Sequence, residues 1–313
     1  MSRVAVIDLG TNTFHLLIAE VSHNQITILY KEKSPVKIGE GGLEKGIITN
    51  TALNRGIETL KHFAEILKKF KVEKCKAVGT SAFRNAQNKE DVLKSILDQT
   101  SIEIDVISGE EEAQLIFEGV KRAVKLESDL TYLIMDIGGG SVEFILCKEE
   151  ELLWKHSFEI GGQRLMKRFH QTDPISQDNI DALKNYVSNV TEPLKEVIKK
   201  YEPSILIGAS GTFDTLVEIY HKKNNMVFAL DDNTEYKLPL SDFKRIHQEI
   251  AQKNYQERLK IDGMIAMRAD MIVVATTLIE YLISTFNFQM IKTSTYALKE
   301  GVLRRLFNEV NAQ

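Results

Sequence analysis

A pattern of two apolar runs separated by a short polar turn occurs twice along the chain. The first copy covers residues 4–18, VAVIDLGTNTFHLLI, and the second covers residues 132–146, YLIMDIGGGSVEFIL. The copies align without a gap when Asp8 is set on Asp136. Apolar runs on both sides of a turn rich in glycine and small polar residues predict a β-hairpin. We therefore expect two similar hairpins, one in each half of the chain.

The segments that follow the two hairpins repeat a common order of elements. In the first half, the spacing of apolar residues predicts a strand at 25–38, a helix at 49–70, a strand at 75–79, a helix at 91–97, a strand at 102–107 and a helix at 110–124. In the second half it predicts strands at 130–136, 142–148 and 152–160, helical residues 176–201, a strand at 204–207 and a helix from Thr212. Three strands, a helix, a strand and a helix, occurring twice, predict a duplicated α/β fold with mixed sheets.

Length and charge restrict the class of protein. At 313 residues the chain exceeds the usual size of a single core, so two domains are expected, and we place them at 1–125 and 126–295, with a helix at 296–313 returning to the first. Hydrophobic residues make up 43% and charged residues 27%, a balance typical of globular proteins. The net charge of −4 provides no basic field for nucleic acid, so an anionic ligand would need local donors and a cation.

Cysteine use and hydropathy predict a cytoplasmic protein with no membrane contact. Cys75 and Cys147 lie in or beside apolar strand-like segments and are predicted to be buried free thiols in a reducing compartment. The N-terminus enters a strand directly and lacks the layout of a signal peptide. The most apolar stretch, residues 271–288, carries Glu280 and several hydroxyl residues, which indicates a buried helix and not a membrane span.

The two predicted hairpin turns are candidate phosphate sites. Glycine lets a ligand approach backbone N–H groups closely, and the turn hydroxyls add further donors. An Asp at the end of the first strand could hold a cation, so two facing turns would clamp a phosphate chain with its metal ion. The alternative is a pair of ordinary hairpin turns, but repetition of the same residue order favours a site. The candidate phosphate-binding residues are Gly10, Thr11, Asn12, Thr13, Gly138, Gly139, Gly140 and Ser141.

Five motifs in order carry a resemblance to a known family. They are residues 8–18 (DLGTNTFHLLI), 79–86 (GTSAFRNA), 107–113 (ISGEEEA), 136–143 (DIGGGSVE) and 208–212 (GASGT). Together they resemble the exopolyphosphatase / guanosine pentaphosphate phosphatase family, within the superfamily of actin, sugar kinases and heat-shock chaperones. The resemblance extends over essentially the whole chain and includes a closing segment, Ser294–Gly301 (STYALKEG). It implies two duplicated actin-like, ribonuclease H-like lobes with mixed β-sheets and a cleft between them that holds the substrate.

The resemblance implies hydrolysis of a terminal phosphoanhydride with release of orthophosphate. The first expectation is an exopolyphosphatase acting on inorganic polyphosphate, and the alternative is removal of the terminal phosphate of guanosine pentaphosphate. An ATP-dependent kinase of a small acceptor shares the fold, and a non-catalytic nucleotide-switched protein is the last alternative. The sequence disfavours both, because the motif around Glu112 matches the hydrolases.

Glu112 matches the catalytic Glu of the family, which activates the attacking water. The three acids Glu110, Glu111 and Glu112 also suit the first turn of a helix capped by Ser108, where the macrodipole favours negative charge. Both roles are compatible. The triplet alone does not select the catalytic residue, and the family alignment does.

Asp136 and Glu143 match the metal-associated acids of the family, and Asp8 is a further candidate acting through water. Carboxylate oxygens suit Mg²⁺ or Mn²⁺, with bound phosphate completing the coordination shell. A monovalent cation such as K⁺ is an additional candidate. For Glu143 the alternative is a side chain that points outward from a half-exposed strand.

The family pattern has an arginine at Arg84, and guanidinium groups match phosphate geometry. The alternative for Arg84 is a surface side chain in a polar loop. Ser210, Gly211 and Thr212 could present N–H groups at a helix N-terminus to a phosphate. Arg164 and Arg268 are weaker candidates for contacts with the phosphate chain. We expect His15, His156 and His170 to serve packing or the surface.

The chain departs from the family pattern in two places. Val142 stands where Thr is usual, which removes one hydroxyl near the expected metal site and predicts tuned activity. Longer members carry an additional helical C-terminal region associated with long polyphosphate, and this chain ends soon after Gly301, so short or medium polyphosphate is the expected substrate. Homodimerisation is an expectation taken from the family and from general base rates.

Overall fold

The computed structural model describes residues 2–22, 25–226 and 233–311. Contacts divide the chain into two compact units. Unit 1 comprises Met1–Gly119 and Leu298–Gln313, and unit 2 comprises Val120–Ala297. The units are groupings of contacts, and the domain limits of 1–125, 126–295 and 296–313 stay predictions.

Unit 1 is built on a five-stranded mixed sheet. Along the chain it contains β1 (Ser2–Leu9), β2 (Phe14–Ser22), β3 (Gln25–Ser34), α1 (Asn50–Lys69), β4 (Lys74–Gly79), α2 (Ser81–Arg84), α3 (Lys89–Thr100), β5 (Ile104–Val106) and α4 (Gly109–Ala123), whose last turn passes into unit 2. The strand order is β3-β2-β1-β4-β5. The first hairpin is antiparallel, and β4 and β5 join it in parallel. The third strand, predicted at 25–38, ends at Ser34.

Unit 2 repeats this arrangement with additions. It contains β6 (Thr131–Ile137), β7 (Val142–Lys148), β8 (Glu151–Phe158), α5 (Gly162–Phe169), α6 (Gln177–Val190), α7 (Glu192–Tyr201), β9 (Ile205–Gly208), α8 (Gly211–Lys223), β10 (Glu235–Leu238), α9 (Leu240–Gln252), α10 (Tyr255–Arg258), α11 (Ile272–Thr285) and β11 (Met290–Ser294). The strand order is β10-β11-β9-β6-β7-β8. Read from β8, the order matches unit 1, with β10 added at the edge beside β11. The predicted duplicated α/β fold with mixed sheets is confirmed.

Each unit has its own hydrophobic core. In unit 1 the inward side chains of the sheet, such as Ile7 and Leu9, pack with Leu60 and Phe63 of α1. In unit 2 helix α11 is buried along nearly its whole length. This burial explains the apolar stretch at 271–288. No helix in the described part of the chain is long and apolar enough to cross a membrane.

The last helix, α12 (Leu298–Asn311), belongs to unit 1 and packs on β1 and β2. Its Gly301 lies directly against helix α4. A Cβ atom added to Gly301 would be 1.9 Å from the carbonyl oxygen of Leu115, so only glycine permits this crossing. The contact ties the C-terminal helix to the helix that carries Glu112.

One expectation about local structure is confirmed with added detail, and another is wrong. The helical residues 176–201 form two helices that meet at Thr191. Pro193 lies in the first turn of α7, where its missing N–H and ring are tolerated, whereas in a helix interior they would break the hydrogen-bond ladder. Cys75 is exposed, because it lies at the outer start of β4, and only Cys147 is buried as expected. Burial raises the pKa of the Cys147 thiol to about 12.

Candidate active site

The first hairpin turn, residues 10–13, is closed by a backbone hydrogen bond. The Gly10 N–H donates to the Thr13 carbonyl at 3.1 Å, and Asp8 stands opposite His15 in the strand register. A Cβ atom on Gly10 would approach the same Thr13 oxygen to 3.0 Å, so a larger residue would crowd the turn. Thr11 and Thr13 are buried. The turn is therefore tightly formed, as the sequence predicts.

The carbonyl groups of this turn are engaged by the segment that follows β3. The Gly39 N–H donates to the Thr11 carbonyl at 3.1 Å, and the Lys37 N–H donates to the Asn12 carbonyl at 2.8 Å. In a trans peptide the N–H of the next residue points opposite to the carbonyl. The N–H groups of Asn12 and Thr13 therefore face away from segment 36–40, in the arrangement that binds anions.

The second turn, residues 138–141, has the same geometry. The Gly138 N–H donates to the Ser141 carbonyl at 3.0 Å, and Asp136 stands opposite Glu143. Three N–H groups at the start of α5, from Gly161, Gly162 and Gln163, donate to the carbonyls of Gly140, Gly138 and Gly139 at 3.1, 2.9 and 2.9 Å. The N–H groups of Gly139, Gly140 and Ser141 consequently face away from α5. Unit 2 thus presents three successive donors where unit 1 presents two.

Glu112 and its neighbour Glu111 have different surroundings on α4. The Ser108 hydroxyl accepts the Glu111 N–H at 3.1 Å and caps the helix, and the Glu111 carboxylate pairs with Arg305 at 2.7 Å. Glu112 is 7% exposed, and its Oε2 accepts a hydrogen bond from Arg84 Nη1 at 2.9 Å. Arg84 Nη1 also donates to the Ile107 carbonyl at 3.2 Å. Unit 1 therefore joins the partly exposed Arg84 and the buried Glu112 in one ion pair, whereas the Glu111 carboxylate lies at the surface of the helix.

Asp8 lies in the electrostatic field of the same unit. The pKa of its carboxyl is raised to about 7, mainly by burial and in part by the charges of Glu112 and Glu300, against the opposing charge of Lys299. Lys299 and Glu300 come from the first turn of α12 and pair with each other at 3.1 Å. Sequence reasoning did not single them out, because only the docking of α12 brings them to Asp8. Their signal in the sequence is the closing segment Ser294–Gly301, which belongs to the family resemblance.

Asp136 and Glu143 are the candidate metal-binding carboxylates of unit 2. They face each other across the β6–β7 pair, and Glu143 is 1% exposed, so the alternative of an outward-pointing Glu143 is excluded. Ser157 donates its hydroxyl to Glu143 Oε1 at 2.7 Å. Within the described ranges, no group of three or more His, Cys, Asp or Glu side chains is arranged to hold a metal. Two carboxylates fit Mg²⁺ or Mn²⁺, because Mg²⁺ commonly takes one or two carboxylates and fills its shell with water and phosphate.

Ser210, Gly211 and Thr212 lie at the start of α8, next to Arg268. A Cβ atom on Gly211 would be 2.4 Å from Arg268 Nη2, so the glycine makes room for the guanidinium. Burial lowers the pKa of Arg268, and the charges of Asp214, Asp136 and Asp270 oppose that shift. Arg268 Nε and the Ser210 hydroxyl are buried with no hydrogen-bond partner in the described part of the chain. Unit 2 thus brings Arg268, which the sequence ranked low, to the predicted residues Asp136 and Ser210.

The remaining candidates have structural partners. Arg164 Nε donates to the Gly140 carbonyl at 2.9 Å, and its Nη2 pairs with Glu159 at 3.0 Å. His156 packs between Trp154 and Phe158, and His170 pairs with Asp173 at 3.3 Å. These contacts agree with packing roles for the two histidines.

Backbone donors in glycine-bearing turns, an arginine beside a buried acid and a facing pair of carboxylates are suited to the positioning and charge stabilisation that phosphoryl transfer requires. A sequence model of the Ppx/GppA phosphatase family matches residues 17–309. The chain belongs to this family and is a phosphoanhydride hydrolase.

Individual relatives agree with this membership. A crystal structure of an exopolyphosphatase from Cytophaga hutchinsonii is 46% identical, covers 98% of this chain and 98% of its own, and superposes with a TM-score of 0.95. A candidate exopolyphosphatase from Haemophilus influenzae is 30% identical over 97% of this chain and 91% of its own length. A guanosine-5'-triphosphate,3'-diphosphate pyrophosphatase from Photobacterium profundum is 29% identical over 98% of this chain, which spans 59% of that protein.

Proposed function

We propose that the chain is an exopolyphosphatase, which hydrolyses the terminal phosphoanhydride of inorganic polyphosphate and releases orthophosphate. The observation that carries the proposal is the buried Glu112 carboxylate held by Arg84 at 2.9 Å at the start of α4. A general base needs a fixed direction, and the hydrogen bond from the Arg84 guanidinium supplies it. The similarity to the Cytophaga hutchinsonii exopolyphosphatase supports the choice of polyphosphate.

In the proposed reaction Glu112 orients a water molecule and takes its proton. The water oxygen attacks the terminal phosphorus, and the bond from that phosphorus to the bridging oxygen breaks. The products are orthophosphate and a shorter polyphosphate. Arg84 keeps the Glu112 carboxylate in place, and positioning of this kind provides much of the rate of phosphoryl transfer.

The two turns are proposed to grip the substrate. Backbone N–H groups of residues 12–13 and 139–141 would donate to phosphate oxygens, with further donors from Thr11, Thr13 and Ser141. In unit 2, Asp136 and Glu143 would hold Mg²⁺ or Mn²⁺, which neutralises phosphate charge when bound. Asp8 is proposed to contact the metal through water.

Guanosine pentaphosphate is the second candidate substrate. The observation that favours it is the relative from Photobacterium profundum, which is named for action on that nucleotide and matches 98% of this chain. The bond to be broken is again a terminal phosphoanhydride, so the same residues would serve either substrate. Direct comparison of the two substrates is needed to choose between them.

The test is phosphate release by the purified chain with Mg²⁺ from short polyphosphate, long polyphosphate, guanosine pentaphosphate and ATP. We expect release from polyphosphate, and a loss of about 100-fold or more in kcat for Glu112→Gln with substrate binding retained. Glu111→Gln is the matched control, because the adjacent acid pairs with Arg305. It should keep nearly parental activity.

Two outcomes would contradict the proposal. If the chain released phosphate from none of the four substrates, both the polyphosphate and the guanosine pentaphosphate activities would be rejected. ATP consumption coupled to phosphorylation of a small acceptor would instead indicate the kinase that shares the fold. Chelation of divalent ions should abolish release, and activity that survived chelation would contradict the metal-dependent form of the proposal.

A further inference from the structure

An arginine of α1 holds the segment that supports the first turn. Arg55 Nε donates to the Val36 carbonyl at 3.0 Å, and Nη2 donates to the Lys37 carbonyl at 3.0 Å and to Glu40 Oε2 at 2.8 Å. Segment 36–40 is the one whose N–H groups engage the carbonyls of Thr11 and Asn12. The Arg55 side chain is therefore connected to the turn through the backbone of segment 36–40.

The backbone of segment 36–40 needs such support. Lys37 adopts φ +51°, in the left-handed region that non-glycine residues avoid. Its N–H donates to the Asn12 carbonyl and its carbonyl accepts from Arg55, so both of its peptide groups are fixed by partners. Loss of the arginine would release this residue towards ordinary backbone angles and turn its N–H away from the first turn.

An arginine of α5 has the corresponding position in unit 2. Arg164 Nε donates to the Gly140 carbonyl at 2.9 Å, and Nη2 pairs with Glu159 at 3.0 Å. The Gly140 carbonyl also accepts the Gly161 N–H at 3.1 Å. The peptide plane between Gly140 and Ser141 is thus held from one side by two donors.

The two arrangements are equivalent in topology. Glu40 and Glu159 both lie in the connection after the third strand of their unit, and Arg55 and Arg164 both lie in the helix that follows. In both units the guanidinium pairs with that glutamate. Arg55 also binds the segment that supports the first turn, whereas Arg164 binds a carbonyl of the second turn itself. The hairpin repeat in the sequence does not extend this far, so the correspondence emerges only from the contacts.

We propose that Arg55 and Arg164 are positioning residues that hold the N–H groups of the two turns in the direction needed for phosphate. The proposal rests on the proposed function in one respect, namely that the turns bind phosphate. Neither arginine needs to touch the substrate, because the Nε and Nη2 donors of each are engaged with backbone carbonyls and a glutamate.

The test compares Arg55→Gln and Arg164→Gln with the parent chain. Lys61→Gln and Arg168→Gln are the matched controls, since Lys61 lies on α1 in a surface pair with Glu58 and Arg168 lies on α5 over the Tyr186 ring. The first readout is amide hydrogen exchange without substrate. We expect exchange to be about fivefold or more faster at the hydrogen-bonded amides of Gly10, Lys37 and Gly39 in Arg55→Gln, and at those of Gly138 and Gly161–Gln163 in Arg164→Gln, with other segments unchanged.

The second readout is kinetics with tripolyphosphate. Each Arg→Gln change should raise KM by about tenfold, because one set of oriented donors is lost, and should leave kcat within about threefold. The milder variants Glu40→Gln and Glu159→Gln should shift KM in the same direction by less. Conservative Arg55→Lys should recover only part of the effect, since one ammonium cannot reproduce the Nε and Nη2 contacts together.

Two results would overturn the inference. Unchanged exchange in the turns would show that the arginines do not hold them, and a fall in melting temperature with unchanged KM would show a purely structural role. The exchange readout needs no substrate. If the parent released no phosphate from polyphosphate, the proposed function would fail, while faster exchange confined to the turns would still support the positioning role.

Discussion

Asp8 and Asp136 occupy the same position in their hairpins but have different neighbours. Asp136 stands opposite Glu143, whereas Asp8 stands opposite His15. Unit 2 therefore offers two carboxylates from one strand pair. In unit 1 the acidic groups around Asp8 come instead from α4 and α12, as Glu112 and Glu300. The difference between His15 and Glu143 at this position thus separates the candidate metal-binding pair in unit 2 from the candidate base in unit 1.

The unusual titration of Asp8 predicts a pH-dependent stability. Its pKa is raised from 3.8 to about 7, so between these values the folded chain binds a proton that the unfolded chain lacks. The free energy of unfolding must then fall as pH rises through this window, by up to about 1.4 kcal/mol for each pH unit, and level off above it. The Asp8→Asn variant has no carboxyl to titrate at this position, so its free energy of unfolding should fall less than that of the parent between pH 5 and pH 7.

Urea unfolding in the presence of a chelator measures this difference. Asp98→Asn on the exposed face of α3 is a suitable control, and its curve should run parallel to that of the parent. Parallel curves for Asp8→Asn as well would mean that the Asp8 carboxyl titrates as an ordinary acid. The chelator matters, because a bound cation would stabilise the ionised carboxylate and hide the effect.

The roles of individual residues were the hardest feature to predict from the sequence. The triplet Glu110–Glu112 suits a helix N-terminus at every position, and only the fold separates Glu111, paired with Arg305, from Glu112, paired with Arg84. Local pattern carries no information about these partners, because Arg305 is far along the chain. The same holds for Lys299 and Glu300, which reach Asp8 only through the packing of α12.

At the scale of elements, the start of α5 determines the shape of the second turn. Gly161 is packed against it so closely that an added Cβ would be 2.4 Å from the Gly140 carbonyl carbon. The neighbouring Gly162 has ordinary space, with its closest contact at 3.7 Å, to Met271. Both glycines have negative φ, so the two sites differ in room and not in backbone strain.

Alanine at these two glycines should therefore have unequal effects. Gly161→Ala must displace the backbone of the turn, and we expect a loss of about 1–3 kcal/mol in stability together with a large fall in phosphate release. Gly162→Ala should be close to neutral in both measurements. Thermal unfolding and initial rates measured on the two variants test this. Equal behaviour would contradict the close packing of α5 against the turn.

The elements that were predicted correctly depend on local pattern. Both hairpins follow from apolar runs around a turn with glycine, and α1 follows from apolar residues at helical spacing. The division of residues 176–201 into two helices has a local cause too, because Pro193 is tolerated in the first turn of α7 but would break the interior of a single longer helix. The contacts by which Arg55 and α5 support the turns could not be predicted from local pattern, because they join segments that are distant in sequence.

At the scale of the whole molecule, the chain forms unit 1 from two separate segments. It leaves that unit after Gly119, forms unit 2, and returns at Leu298. Unit 2 is continuous and has a core of its own around α11. Unit 1 is completed by α12, which buries the apolar side chains of Leu298, Val302, Leu303, Leu306 and Phe307.

Removal of α12 should consequently unfold unit 1 and leave unit 2 folded. Burial of one large apolar side chain contributes about 1.5–3 kcal/mol, so five of them match the whole stability of a typical domain, about 5–15 kcal/mol. In a chain ending at Ala297, we expect amide protection to be lost over residues 2–22 and 25–118 and retained over 131–226 and 233–294. A chain ending at Asn308 keeps every one of these buried residues and should stay protected throughout. Protection lost in both units of the shorter chain would show that unit 2 depends on unit 1, and protection kept in both would show that the β-sheet of unit 1 needs no helix from the end of the chain.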